Sequence, residues 1–257
     1  MNYALVAANI AVYLLTRRMA EQVDDMWQSW HLILQQDPAN ALDNMFREAP
    51  LLGYYLVPWR LQLHQFITYQ FLHADAWHLL GNMVFLFVFG NNLEDRLGKL
   101  GYLAFYLAGG VIAGIGQVML GGSAPILGAS GSVCAVTGAY MALFPLTRVT
   151  VLYFIIIIGT FEIASLYLIL LQIGQNLLYH ILGRGGVAYM AHLAGYGYGF
   201  FVGMGLLWLR LLPRELYDLP ALIDRAQRRR QMRQITHSGQ SPWESVNRFK
   251  LAPPGSA

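Results

Sequence analysis

Three short stretches of this sequence carry polar side chains whose types and spacing could hydrolyse an acyl bond. The first is Gly128-Ala129-Ser130-Gly131, which opens an apolar segment. A serine hydroxyl is a weak nucleophile until a neighbouring base takes its proton. A run of small residues also serves helix packing in membranes, so Ser130 alone decides nothing. Ser132 is a second candidate two residues on, facing a different side of a helix; only one of the two can serve. The second stretch is Met190-Ala191-His192-Leu193-Ala194-Gly195, with Gly199 following. An ionisable side chain inside an apolar span is expensive and reads as functional by default. Gly195 and Gly199 lie on roughly the same helical face as His192, where small residues let a neighbouring helix approach. A hydroxyl–imidazole contact between two spans requires such a face; a structural histidine is the competing reading. The third element is His78 with Asn82, spaced i, i+4 on one face. Both can donate hydrogen bonds, and donors aimed at developing negative charge stabilise a tetrahedral intermediate. Hydrogen bonding between helices is the plainer role for the same pair.

Metal chemistry is the alternative for the histidines. His73, Asp75 and His78 are close together, and His64 is near in sequence. No His-Glu-x-x-His helix accompanies them, and a zinc hydrolase site needs that geometry or an equivalent. No metal and no cofactor is expected. Cys134 is the single cysteine, so no disulfide forms within the chain and redox compartment cannot be read from it.

Composition says what must position these groups. Of 257 residues, 56% are hydrophobic and only 12% are charged, against roughly 25% charged in a soluble domain. A spanning helix needs about 20 mostly apolar residues. Six segments qualify or nearly do: 2–15, 78–93, 102–120, 130–146, 163–182 and 187–212. The expected fold is therefore an all-α membrane protein of six spans. The fourth span is short, and the preceding run from Gly121 to Ala129 contains Gly121, Gly122, Pro125 and Gly128. Non-helical backbone at membrane depth survives only under protein or beside water. A loop dipping inward and a fourth helix starting below the outer surface follow.

The connections are read from charge and aromatics. The long first connection, 16–65, mixes Trp27, Trp30 and Trp59 with charges and is expected to lie on the membrane surface; a small soluble cap is the alternative. The 149–158 run reads as an interfacial segment leading into a helix that begins near Glu162, where a carboxylate favours the helix dipole. With the N-terminus inside, cytoplasmic segments carry 12 Lys and Arg and outer segments carry 5, so both termini are expected in the cytoplasm. Nine of the basic residues follow Leu209, and no nucleic-acid recognition fold accompanies them. Residues 1–212 form the membrane domain; 213–257 read as a basic, disordered tail. Residues 1–15 lack a basic leader and cleavage site and read as a retained span. A transporter is disfavoured by the lack of repeat symmetry between the halves.

Taken together, the ordered set resembles the rhomboid family of intramembrane serine proteases. The matching stretches run from Phe71 through His73, Trp77, His78 and Asn82 to Met83, then Leu93-Glu94-Asp95-Arg96-Leu97-Gly98. They continue with Gly128-Ala129-Ser130-Gly131 and with Ala191-His192-Leu193-Ala194-Gly195 and Gly199. The resemblance implies a Ser–His dyad without a catalytic aspartate, with Ser130 as nucleophile and His192 as general base. It implies oxyanion donors at His78, Asn82 and the Ser130 backbone N–H, and structural roles for Glu94 and Arg96. The implied partners are the lipid bilayer and single-span membrane-protein substrates entering near the fifth helix. A catalytically silent rhomboid-like protein that binds or dislocates membrane clients is the alternative. Two departures stand out. Cys134 occupies a position where the family often has an aromatic ring packed on the imidazole, so His192 is expected to be held differently. His64-Gln65 replaces a Trp-Arg pair that supports the outer loop. The compact six-span plan points to a prokaryotic plasma membrane.

Overall fold

The computed structural model describes residues 1–33, 44–154 and 158–237. Helix α1 runs Asn2–Ile33. Helix α2, Ala76–Leu120, is broken at Gly98, whose φ of 70° and ψ of 166° are non-helical. Its two limbs therefore act as separate rods. Helix α3 is Ser130–Leu143. A hairpin follows, with β1 over Arg148–Phe154 and β2 over Ile158–Ala164. Helices α4, Ser165–Ile181, α5, Tyr189–Trp208, and α6, Leu219–His237, complete the chain. Among the described residues α2 is the one helix both long and apolar enough to cross a membrane by itself.

Helix α3 is the centre of the molecule. Every residue from Gly131 to Leu143 is buried, walled in by both limbs of α2 and by α5. Close approach explains the glycines. A Cβ on Gly199 would lie 1.9 Å from the Ala135 carbonyl oxygen, and one on Gly195 2.4 Å from the Gly131 carbonyl oxygen. A Cβ on Gly131 would meet Ala113 at 2.6 Å. Small residues thus set the spacing of backbones, as expected where packing rather than water drives helix association.

Several expected connections are corrected. The first helix does not stop at residue 15 but continues through Arg17 and Arg18 to Ile33, because Ala20 and Val23 present an apolar edge three residues apart. That edge packs against Met45, Ala49, Leu51, Leu52, Tyr55, Val57 and Leu72. Trp59 meets Phe46 edge-on at 5.9 Å, with Arg60 over the same ring. The first connection therefore has its own small core against α1. The side chains of Trp27 and Trp30 lie outside the described residues. Glu162 is not at a helix N-terminus: it pairs with Thr150 in the hairpin and bonds Arg148 at 3.0 Å. The β-branched residues of 149–163 favour extended backbone over a helical start. Finally, part of the segment read as a disordered tail is helix α6. Asp218, fully buried, accepts from the Ala221 N–H at 2.8 Å and from Arg214 at 3.1 Å, and Pro220 sits in the first turn, where its missing N–H is harmless. Residues 238–257 lie outside the described residues.

The turn between the limbs of α2 is anchored on both sides. Glu94 accepts from the Met1 ammonium at 2.6 Å and the Asn2 N–H at 2.7 Å. Arg96 bonds Glu215 and donates to the Pro213 carbonyl. Both residues thus hold helix ends together.

Candidate active site

Ser130 is the first residue of α3. The connection before it is extended, because Leu56 and Ile126 exchange backbone hydrogen bonds at 3.0 Å each way. Gly128 then turns the chain at φ 127° and donates its N–H to the Tyr69 carbonyl at 2.9 Å. A Cβ there would lie 2.7 Å from the His78 ring, so glycine is required both by conformation and by the imidazole. The first N–H groups of a helix lack intrahelical partners, and the N–H of Ser130, the first residue of α3, is one of them.

His192 stands near the start of α5. Its Nε2 lies 2.8 Å from Ser130 Oγ, joining residues 62 apart in sequence. Both side chains are only half-buried and line a cavity of about 850 Å³. His78 and Asn82 line the same cavity. Asp75 caps α2 by accepting from the N–H groups of Trp77 and His78 at 2.7 and 2.9 Å, which fixes where His78 begins. The His78 ring also meets His73 edge-on at 5.2 Å. His73 is fully buried; desolvation, with His78 beside it, lowers its pKa from 6.5 to about 4, so it packs as a neutral ring. Asn82 donates one amide hydrogen to the His78 carbonyl at 3.0 Å; its amide has a second.

Ser132 goes elsewhere. It is fully buried and donates to Gln70 Oε1 at 2.9 Å, away from the imidazole. Ser132→Ala should therefore destabilise by about 1 kcal/mol through the lost hydrogen bond while leaving reactivity at Ser130 intact. Thermal unfolding and probe labelling of the variant check both halves.

Three polar residues were not singled out in the sequence. The second imidazole nitrogen, His192 Nδ1, lies 2.7 Å from Asn176 Oδ1 on α4. One turn along each helix, Tyr196 donates to Gln172 Oε1 at 3.1 Å. The imidazole is thus held from α4. The signal was present: Gln172 and Asn176 are amides four residues apart, on one face of a largely apolar helix that also carries Gln175. His64-Gln65 supports the outer loop by hydrogen bonds. Gln65 is fully buried, accepting from Gln62 N–H at 3.2 Å and donating to Gly53 O at 3.3 Å, and His64 Nε2 sits 3.0 Å from the same carbonyl.

A hydroxyl held to an imidazole nitrogen on the wall of an open cavity, beside two side chains able to donate, suits acyl transfer. The model of the rhomboid domain matches residues 60–209, which contain all of these groups. The mitochondrial presenilin-associated rhomboid-like protein A of Danio rerio is 30% identical over 150 residues, 56% of this chain and 38% of that protein. The mitochondrial rhomboid protein 1 of Saccharomyces cerevisiae is 25% identical over 209 residues, 78% of this chain and 51% of its own length. Rhomboid-related protein 2 of Mus musculus is 28% identical over 170 residues, 63% of this chain and 54% of that protein. The match thus spans about half or less of these relatives' length. The chain belongs to the rhomboid family, whose members are membrane proteins.

Proposed function

We propose that this protein is an intramembrane serine endopeptidase that cuts transmembrane segments of membrane-protein substrates. The observation that carries the reading is the 2.8 Å contact between Ser130 Oγ and His192 Nε2 on the wall of an open cavity. In the proposed reaction His192 takes the Ser130 proton as the oxygen attacks the scissile carbonyl. The oxyanion collects hydrogen bonds from the Ser130 N–H, the spare Asn82 amide hydrogen and His78. The protonated imidazole then gives its proton to the leaving amine, and water repeats the sequence on the acyl-enzyme. No step calls for a metal or cofactor.

The membrane setting rests on exposed apolar surface. Helix α4 buries Ser165 and Ile169 but exposes Tyr167, Leu170, Leu171, Leu177, Leu178 and Ile181; such a face suits hydrocarbon, not water. On this reading α1, the two limbs of α2, α3, α4 and α5 are the six spans. The basic C-terminal end then lies in the cytoplasm of a prokaryotic cell, the bundle sits in its plasma membrane, and single-span substrates approach beside α4. Substrate helices must unwind to be cut, so segments with helix-breaking residues should be preferred.

The test is cleavage of a transmembrane reporter by purified protein in liposomes. Binding of the reporter without cleavage would replace the protease reading by that of a rhomboid-like client-binding protein. Asn82→Ala should lower kcat by about 10²-fold with KM nearly unchanged, since its donor acts on charge formed during reaction. Equal loss of reporter association would make Asn82 structural.

A further inference from the structure

The geometry points to Asn176 as a positioning residue that fixes the tautomer of His192, so that the Ser–His pair works as part of a three-residue chain reaching across to α4. This rests on the protease reading for its consequence, but not for its structural content.

The hydrogen bonds leave one consistent assignment. Asn176 Nδ2 lies 2.8 Å from the backbone carbonyl of Gln172. A carbonyl oxygen only accepts, so the group facing it is the amide NH₂. The Asn176 oxygen then faces His192 Nδ1 at 2.7 Å. That oxygen also only accepts, so Nδ1 carries the proton. In a neutral imidazole the other nitrogen is then a bare lone pair. That nitrogen, Nε2, is the one 2.8 Å from Ser130 Oγ. The Ser130 hydroxyl must donate to it, which is the arrangement a general base needs. The tautomer is thus set by α4, through a side chain whose own orientation is locked by its helix.

The neighbouring rung makes the link two-point. Gln172 and Asn176 are four residues apart on α4, and Tyr196 and His192 are four apart on α5. Apolar packing of α4 rests on the buried Ile169, with Leu166, Leu168 and Ile173 partly buried against the core. The amide rungs add to that packing the two polar contacts that fix the register of α4 against the imidazole. A shift of α4 away from α5 breaks the Asn176 contact and releases the tautomer, so the base is set only when α4 is seated.

The test compares Asn176→Leu, which keeps volume but loses the acceptor, with Asn176→Asp, which keeps it. Gln172→Leu cuts the other rung and leaves the Gln172 carbonyl in place. Proton–nitrogen NMR of histidine-labelled protein reads the His192 tautomer, its signal assigned by its absence from His192→Ala. The Nδ1–H form is expected in the wild type, Asn176→Asp and Gln172→Leu, and as a mixture in Asn176→Leu. Fluorophosphonate labelling and kcat should fall roughly 10- to 100-fold in Asn176→Leu, with KM unchanged, and Asn176→Asp should recover most of the loss. An unchanged tautomer in Asn176→Leu overturns the proposal. So does a tautomer change without any loss of rate in protein that labels at Ser130. Failure of wild-type protein to label would defeat the protease reading instead, and the tautomer measurement would still decide the role of Asn176.

Discussion

Replacing Ser130 by alanine is expected to remove reporter cleavage, lowering kcat by about 10⁴-fold or more. His192→Ala should lower it nearly as far. Both losses follow from the single contact between them: without Oγ there is no nucleophile, and without Nε2 the hydroxyl keeps its proton. Groups that act as one unit are grossly non-additive, so the double variant should be no worse than either single one. Neither side chain is part of the close-packed face of α3, and both are half-buried at the cavity. The folded proteins should therefore remain intact by thermal unfolding, and reporter association should persist. A Ser130→Ala protein that still cuts at an appreciable rate would move the nucleophile elsewhere. Additive losses would mean that the two residues act separately.

The second large effect is on the fold. Gly199→Val should destabilise by roughly 3 kcal/mol or more and abolish activity with it. A Cβ at Gly199 would lie 1.9 Å from the Ala135 oxygen, 2.7 Å from its carbonyl carbon and 2.8 Å from the Ala139 nitrogen. All three are backbone atoms of α3, so no side chain can swing aside; the helices themselves must part. Ser130 and His192 sit on these same two helices, so parting them opens the 2.8 Å contact. Gly205, also on α5, supplies the control, because nothing lies within 4 Å of a Cβ built there. Gly205→Ala should be neutral or stabilise by up to about 1 kcal/mol, since glycine is a poor residue in a helix interior. Thermal unfolding in detergent separates the two. Equal effects at 199 and 205 would show that crowding between α3 and α5 does not set stability.

The elements that position the chemistry were legible because their signals are local and strong. Helix α3 starts at Ser130 as the Gly- and Pro-containing run before it requires, and α5 places Gly195 and Gly199 against α3 as their spacing to His192 suggested. The candidate residues His78, Asn82, Ser130 and His192 fall around one cavity. Misreadings came where composition misleads. Arg17 and Arg18 look like the end of a span, yet charge ends only the apolar run, and the helix continues where Ala20 and Val23 find a small core of their own. The 149–158 run reads as an interfacial segment leading into a helix near Glu162, although Val149, Thr150 and Val151 on one side and Thr160 and Ile163 on the other fit the paired strands. The run of arginines at 228–230 reads as tail, while the cap at Asp218 starts a helix through it. Asn176 was passed over for a different reason. An amide among apolar residues shows no partner in sequence, and its target is 16 residues away across a turn. Pairing it with Gln172 as an i, i+4 polar stripe would have marked the face turned towards His192.

The most direct measurement is the site of attachment of a fluorophosphonate probe, mapped by mass spectrometry on the purified protein. One adduct on Ser130 is predicted, absent from Ser130→Ala and strongly reduced in His192→Ala. An adduct on Ser132, or labelling of Ser130 that is indifferent to loss of His192, would contradict the pairing of that hydroxyl with that imidazole.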